Sequence, residues 1–384
     1  MRVWFAVRHL ALAFVCILLA SALLLVSDLG RRTGTQAASR ANGPRRVAVL
    51  QYSSTPPLED GSRGFLDALN ELGFRDGERI SLTWYKAEAD MAVANAIAKE
   101  MTNGQFDLVA TMGTPALQAV ANANREGRVP HVFGVVAAPR TAGVGIGDKG
   151  PLDHPKHLVG VGTFARAELA FRLARRMFPG LRTVGIVWNP AESNSRVFTE
   201  AARAACHDLG ISVIEANVDN SNGVAESAAS LVARGADALW TGGDNTVMTA
   251  VSSLVVAGQR GRIPVFSTVT GTAEQGVLLT SGAKFYENGK EMGRLAAKVL
   301  DGIDPATLPV EDLVIPHTEI NTLALKGLKD SWQVPPDLLR QADTLIDEAG
   351  THSKTPGVPA AVPAAIKSGA SPTTAARPDA GQKR

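Results

Sequence analysis

The sequence predicts an α/β protein made of two similar doubly wound parallel-sheet lobes with a ligand cleft between them. Short apolar β-type runs alternate with helix-periodic segments, the pattern of a parallel sheet with crossover helices. The order of these segments returns about 130 residues further on, so the chain reads as two copies of one architecture. Its 384 residues exceed one small core and suffice for two lobes plus tails.

In the first copy Val47-Ala48-Val49-Leu50 is an apolar run. Phe65, Leu66, Ala68, Leu69 and Leu72 then share one helical face, and Gly73 stands where a helix ends. Ile80, Leu82 and Trp84 alternate with Ser81, Thr83 and Tyr85, as in a half-buried strand. A helix over 91–101, the run Leu108-Val109-Ala110, a helix over 115–124 and a strand over 132–136 follow. In the second copy Val184-Gly185-Ile186-Val187-Trp188 echoes the first run, a helix over 195–209 ends at Gly210, and 211–216 answers 80–84. Phe106-Asp107-Leu108-Val109 is matched by Ala236-Asp237-Ala238-Leu239, Gly113-Thr114 by Gly243-Asp244, and Gly127-Arg128-Val129-Pro130 by Gly261-Arg262-Ile263-Pro264.

The ends differ from this core. Arg2, Arg8 and His9 precede an apolar run over 10–26, which Asp28, Gly30, Arg31 and Arg32 close. Residues 1–27 therefore read as an export signal or a retained membrane anchor, and the bulk of the chain is expected to leave the cytoplasm. From 351 to 384 Ala, Pro, Ser, Gly and Lys dominate, so this tail is expected to be disordered. Apolar residues make up 45% and charged residues 20%, and the formal net charge of +2 offers no nucleic-acid surface. Cys16 falls in the N-terminal run, which leaves Cys206 without an intrachain partner and excludes a disulfide framework. Cys206 reads as a small half-buried helical residue.

In doubly wound sheets ligands bind outside the carboxyl ends of the strands, so two such sheets facing each other form a cleft there. The loops after the strands are the candidates: Gln51-Tyr52-Ser53-Ser54-Thr55, Met112-Gly113-Thr114-Pro115 and Val136-Ala137-Ala138-Pro139 in the first copy. In the second they are 189–195, 242–246 and 267–270. Almost all are small or polar, the chemistry of a site that hydrogen-bonds a polar solute. Ser53, Ser54 and Ala138 are candidate contacts on this ground. Several loops also open helices, so Thr114, Ser195, Asp244 and Asn245 read equally as helix caps, and helix N-termini can themselves hold a carboxylate or phosphate.

The string 184–195 resembles the ABC-transporter substrate-binding protein family that includes tryptophan- and tyrosine-type binding components. So do Gly113-Thr114-Pro115-Ala116-Leu117-Gln118-Ala119, Gly243-Asp244-Asn245-Thr246-Val247 with Ile263-Pro264-Val265-Phe266, and Phe285-Tyr286-Glu287-Asn288-Gly289. The resemblance implies the type I periplasmic-binding-protein fold, with hinge crossings near 159–163, 279–284 and 309–314. Lobe one would be 45–160 plus 284–305, and lobe two 163–280 plus 310–325. It implies ligand contacts at Thr114, Pro115, Glu192, Ser193, Asn194, Ser195, Asp244, Asn245 and Thr246. Asp244 would pair with a ligand ammonium, and Thr114, Ser193 and Asn194 with a carboxylate. It also implies a monomer that delivers a small-molecule solute to an ABC permease, with no cofactor.

The sequence departs from the family at three places. Ser53-Ser54-Thr55 replaces an acidic or His-bearing loop, Ala137-Ala138-Pro139 a Thr-Asp-Pro, and Lys284-Phe285-Tyr286 an Asp-Tyr-Tyr. These changes favour a neutral or anionic solute over an α-amino acid, with Lys284 either a cleft group or a hinge-surface residue. The Gly- and Pro-rich stretch 140–157 is expected to form a flap over the cleft. An enzyme is disfavoured. Gly143-Val144-Gly145-Ile146-Gly147 lacks dinucleotide spacing, no Gly-x-Ser-x-Gly elbow is present, and the histidines show no metal-ligand pattern. A membrane-anchored ligand-sensing module is the alternative role.

Overall fold

The structure, a computed structural model, describes residues 43–354. The expected export or anchor segment at 1–27, Cys16 and the tail from 355 onward lie outside the described residues.

Two sheets carry the fold. In the first, β2 (Ile80–Lys86), β1 (Arg45–Gln51), β3 (Leu108–Met112), β4 (His131–Val136), β5 (Leu158–Gly162) and β11 (Glu311–Asp312) lie side by side, all parallel. In the second, β7 (Ser212–Asn217), β6 (Thr183–Trp188), β8 (Ala238–Thr241), β9 (Val265–Ser267) and β10 (Leu279–Ala283) repeat the same winding in parallel. Antiparallel β12 (Pro316–Asn321), then β13 (Thr344–Asp347) and β14 (Gly350–Ser353), extend that sheet beyond the return expected at 310–325. The first residues of the segment expected to be disordered from 351 thus belong to a strand.

The helices follow the strands. α1 (Pro56–Glu71), α2 (Met91–Met101) and α3 (Thr114–Ala123) serve the first sheet, and α4 (Ala167–Met177), α5 (Ser193–Asp208), α6 (Val224–Ala233), α7 (Asn245–Thr249) and α8 (Val251–Gly261) the second. α9 (Phe285–Leu300) leaves the second sheet and returns to pack on α1, and a short α10 (Pro336–Gln341) follows.

The two copies share physical devices as well as order. The carboxylate of Asp107, just before β3, accepts from Arg46 N at 2.7 Å, while its own N–H donates to Arg46 O at 2.8 Å. Asp237, just before β8, does the same in the second sheet, accepting from Arg182 N at 2.9 Å and Thr183 N at 2.8 Å and donating to Thr183 O at 2.8 Å. Each aspartate pins the start of one central strand to the start of its neighbour.

The interior is apolar. One buried cluster runs through the first sheet and its helices to the α6 and α8 side of the second sheet. The other fills the α4 and α5 side, where Phe171 stacks 5.2 Å from Trp240 and 5.2 Å from Phe266. Cys206 is fully buried in this second cluster rather than half-buried, because it lies on the inner face of α5, and burial pushes its thiol up to about 12. The chain passes between the sheets at 163–166, at 284 and at 313–315.

α9 sits close on α1 because glycines stand where the two backbones meet, while Tyr286 and Lys290 bridge to Asp67 and Glu71 beside them. A methyl group on Gly289 would overlap the Gly61 carbonyl oxygen. Gly289→Ala therefore forces the two helices apart, and its expected cost is about 1–3 kcal/mol. A urea midpoint equal to that of the wild type would show that α9 shifts without penalty.

Candidate functional site

A cavity of about 50 Å³ lies between the carboxyl ends of the two sheets. Thr55, Leu58, Gly113, Thr114, Val135 and Ala137 wall it from the first lobe, and Asn194, Phe198, Asp244, Asn245, Met248 and Thr268 from the second. Thr163 and Ala165 come from the crossing after β5, and Phe285 from the start of α9. The lobes also touch outside the cavity. Gln118 of α3 donates from Nε2 to Ser193 Oγ of α5 at 3.2 Å, and Gly271 lies so close to Pro56 that a methyl there would stand 2.8 Å from its Cβ.

Two buried carboxylates organise the second lobe's half of this site. Asp244 caps α7: its Oδ1 accepts from Val247 N at 2.8 Å, and its Oδ2 accepts from Asn189 N at 2.6 Å and Ser195 Oγ at 2.5 Å. Glu192, from the loop after β6, reaches the same helix end. Its Oε1 accepts from Thr246 N at 2.9 Å and Thr246 Oγ1 at 2.7 Å. Its Oε2 accepts from Asn245 N at 3.0 Å, Asn245 Nδ2 at 2.7 Å and Asn194 Nδ2 at 2.9 Å. The positive end of α7 thus receives acids of the chain itself. Phe198 lies flat against Gly242 and Gly243, where a methyl on either would come within 2.6 Å of the ring side chain.

The first lobe contributes shape. Gly113 turns from β3 into α3 with φ at +93°, a conformation that favours glycine, and brings Thr114 to the wall. Val135 also has positive φ, +54°, which strains a β-branched residue. It sits where the register of β4 against β5 shifts, a bulge that turns its side chain into the cavity wall. Asn288 of α9 holds this bulge: its Oδ1 accepts from Val135 N at 2.8 Å and its Nδ2 donates to Gly162 O at 2.9 Å.

The residues expected from sequence divide by place. Thr114, Asn194, Asp244 and Asn245 line the cavity. Glu192, Ser195 and Thr246 stand behind its wall in the acid network, and Ser193 faces Gln118 across the lobes. Ser53 is buried beside Thr55, with Oγ 3.4 Å from Thr55 Oγ1. Pro115 is buried in the first turn of α3. Ser54 faces outward to Lys86 and Glu88. The Ala138 carbonyl accepts from Thr141 N at 3.1 Å, while its neighbour Ala137 reaches the wall. Leu58, Val135, Phe198 and Met248 escaped the sequence reading, three because they lie on helices outside the loops inspected and Val135 because it lies within β4; Phe285 stands in a family-like string with no contact assigned to it.

The stretch 140–157 does not reach the cavity. Arg140 Nη1 donates to Gly147 O, Gly147 N donates to Asp153 O at 2.7 Å, and Val310 N donates to Pro151 O at 2.8 Å. These bonds fold it against the β11 edge of the first sheet, so the expected flap is an edge cover. Lys284, half-buried at the second crossing, is likewise outside the cavity wall.

The electrostatics follow from the acids. Burial first, and then the Glu192 charge, push the Asp244 carboxyl up to about 7. Burial, Glu192, Asp90 and Asp244 hold the Tyr52 hydroxyl well above the ordinary tyrosine range, so the second lobe's acids are felt across the cleft. A carboxyl raised in the fold stabilises it fully below its unfolded value near 3.8 and loses that contribution as pH rises through about 7. Between pH 5 and pH 8 the wild type is therefore expected to lose stability relative to Asp244→Asn; equal pH slopes in the two denaturation series would contradict the shift. Gln118 Nε2 also donates to Ala142 O at 2.8 Å within the first lobe, so the variant that removes the cross-lobe bond alone is Ser193→Ala, which is expected to leave the melting temperature of the free protein nearly unchanged. It should weaken ligand binding by about 2–10-fold, the worth of one neutral hydrogen bond made only when the lobes meet. Titration calorimetry on the variant with any solute that binds the wild type checks this.

A family model described as ABC transporter substrate binding protein matches residues 46–346. The chain is 25% identical over 285 residues to a tyrosine-binding protein of Clostridioides difficile (strain R20291), covering 74% of this chain and 81% of that protein. The solved structure of an ABC domain in complex with L-Trp from Streptococcus pneumonia is 25% identical, with a TM-score of 0.74 over 79% of this chain and 100% of that one. The ligand-free, open structure of a substrate-binding protein with adhesive properties from Clostridium difficile is 26% identical, with a TM-score of 0.56 over 75% and 98%. At nearly equal identity the chain superposes better on the complex than on the open form, in keeping with a cavity walled by both lobes. The match over 46–346 makes this chain a member of the family of ABC transporter substrate-binding proteins.

Proposed function

We propose that this protein is the extracytoplasmic solute-binding component of an ABC importer and captures one small solute by closing its two lobes, without turning it over. The cavity at the lobe junction carries this reading, because a solute there touches both sheets and the crossing at 163–165 at once. Such a solute gains its full set of contacts only when the lobes meet, so it shifts the population toward the closed form. Closure then presents a joined two-lobe surface to a permease. An apolar or aromatic solute body fits walls made by Leu58, Phe198, Met248 and Phe285, and the relatives whose names state a ligand bind tyrosine or L-Trp. The notion of a purely polar solute is narrowed accordingly to an amphipathic one.

Thermal-shift screening of the protein against amino acids, sugars, nucleosides and small organic acids should find a solute that raises the melting temperature. At a hundredfold excess over Kd the stabilisation is about 2.7 kcal/mol. The same solute should reduce the radius of gyration in solution scattering. A panel without a single hit, or a hit that leaves the radius unchanged, removes the proposal.

A further inference from the structure

Thr163, Asn194 and Thr268 all line the cavity, are 3%, 4% and 1% exposed, and come from three separate segments: the first crossing, the first turn of α5 and the loop after β9. Each has a buried side-chain oxygen without a hydrogen-bond partner: Thr163 Oγ1, Asn194 Oδ1 and Thr268 Oγ1. A buried polar atom left unmatched costs the fold, so three converging on one cavity need a reason. The orientation of the Asn194 amide is fixed, because its Nδ2 donates to Glu192 Oε2 at 2.9 Å and to Gly243 O at 2.6 Å. Its Oδ1 is therefore an acceptor, and a partner there must bring an N–H or O–H. No Lys, Arg or His side chain is among the described residues that line the cavity, so no cationic side chain awaits a carboxylate. The Asp244 oxygens already accept from Asn189, Ser195 and Val247.

We infer that Thr163, Asn194 and Thr268 form the polar recognition set of the cleft and select a small molecule whose hydrogen-bond-donating head, an amine, amide or hydroxyl, is carried on an apolar body. This rests on the solute-binding function proposed above and names its ligand class. Glu192 is then a positioning residue: its Oε2 accepts from Asn194 Nδ2 and so leaves Oδ1 as the amide atom without a protein partner. A carboxylic acid without a donor meets the Asn194 oxygen as one acceptor against another. The two threonine hydroxyls can donate or accept, so they serve the remaining valences of the head.

The test uses one indole body with three heads: tryptamine, indole-3-propanamide and indole-3-propanoate, titrated calorimetrically into the wild-type protein and into Thr163→Val and Thr268→Val. Valine keeps the shape and removes a hydroxyl that has no protein partner. Both variants should match or exceed the wild type in melting temperature without solute. The amine or the amide should bind the wild type at least about tenfold more tightly than the acid, and each variant should lose about tenfold for that solute. A drop in the melting temperature of the free variants would show that the hydroxyls serve the fold, and unchanged affinities would show that they serve nothing in the cleft. Either result overturns the inference, as does failure of both donor-headed probes to bind. If the acid alone binds and closes the lobes, the ligand class falls while the solute-binding function stands.

Discussion

Burying two carboxylates side by side constrains the whole second-lobe wall. A carboxylate removed from water is tolerated only when its lone pairs are met by donors. Glu192 and Asp244 meet that demand by drawing together the loop after β6, the loop after β8 and the first turns of α5 and α7. The bonds that satisfy the acids also fix two residues of the cavity wall, Asn194 and Asn245, and the residues just behind it. Asn194 is aimed by Glu192, Asn245 and Thr246 are held at the start of α7, and Ser195 is locked to Asp244. The acids that the sequence suggested as ligand contacts act largely as the frame on which contacts are hung, although Asp244 also reaches the wall itself.

The first lobe reaches its half of the wall by other means. No acid is among the described first-lobe residues that line the cavity, and that wall is set by backbone shape: the left-handed turn at Gly113 and the strained bulge at Val135. That strain persists because Asn288, arriving on α9 from the far side of the second crossing, ties the bulge to the end of β5. One buried side chain thus links the cavity wall, the hinge strand and the helix that closes the lobe. The first crossing between the sheets begins just after Gly162, so the bulge lies next to it.

Much of this was legible in the sequence. The internal match of Asp107 with Asp237 marked two residues doing one job, and the strand order followed from alternation and the repeat. The loops after the strands do meet at the cleft, because parallel sheets leave their carboxyl ends to loops. Three things were not legible. Hydrophobic periodicity shows that Phe198 and Phe285 are apolar helix residues but not that the cavity interrupts the faces they pack on. Positive φ at a valine has no sequence signal, since nothing in Val135 favours it. β13 and β14 are short and sit beside a composition typical of tails, so only the pairing of β13 with β12 and of β14 with β13 reveals them.

Buried acids also face one another across the junction of the lobes. Asp60 on α1 is raised above the ordinary carboxylate range by burial, with Glu59 and Glu274 adding to the shift and Arg63 opposing it. Glu319 on β12 is raised by burial too, and the charge of Asp60 adds to it. Glu274 and Glu319 belong to the second lobe and Asp60 to the first, so the junction of the lobes brings these acids within reach of each other's charge. Separation lets water back to these acids and relieves the repulsion. The lobe-to-lobe hydrogen bond from Gln118 to Ser193 is worth about 0.5–1.5 kcal/mol by the usual net value. In the proposed solute-binding role, contacts of a bound solute with both walls add to that bond and favour the closed form.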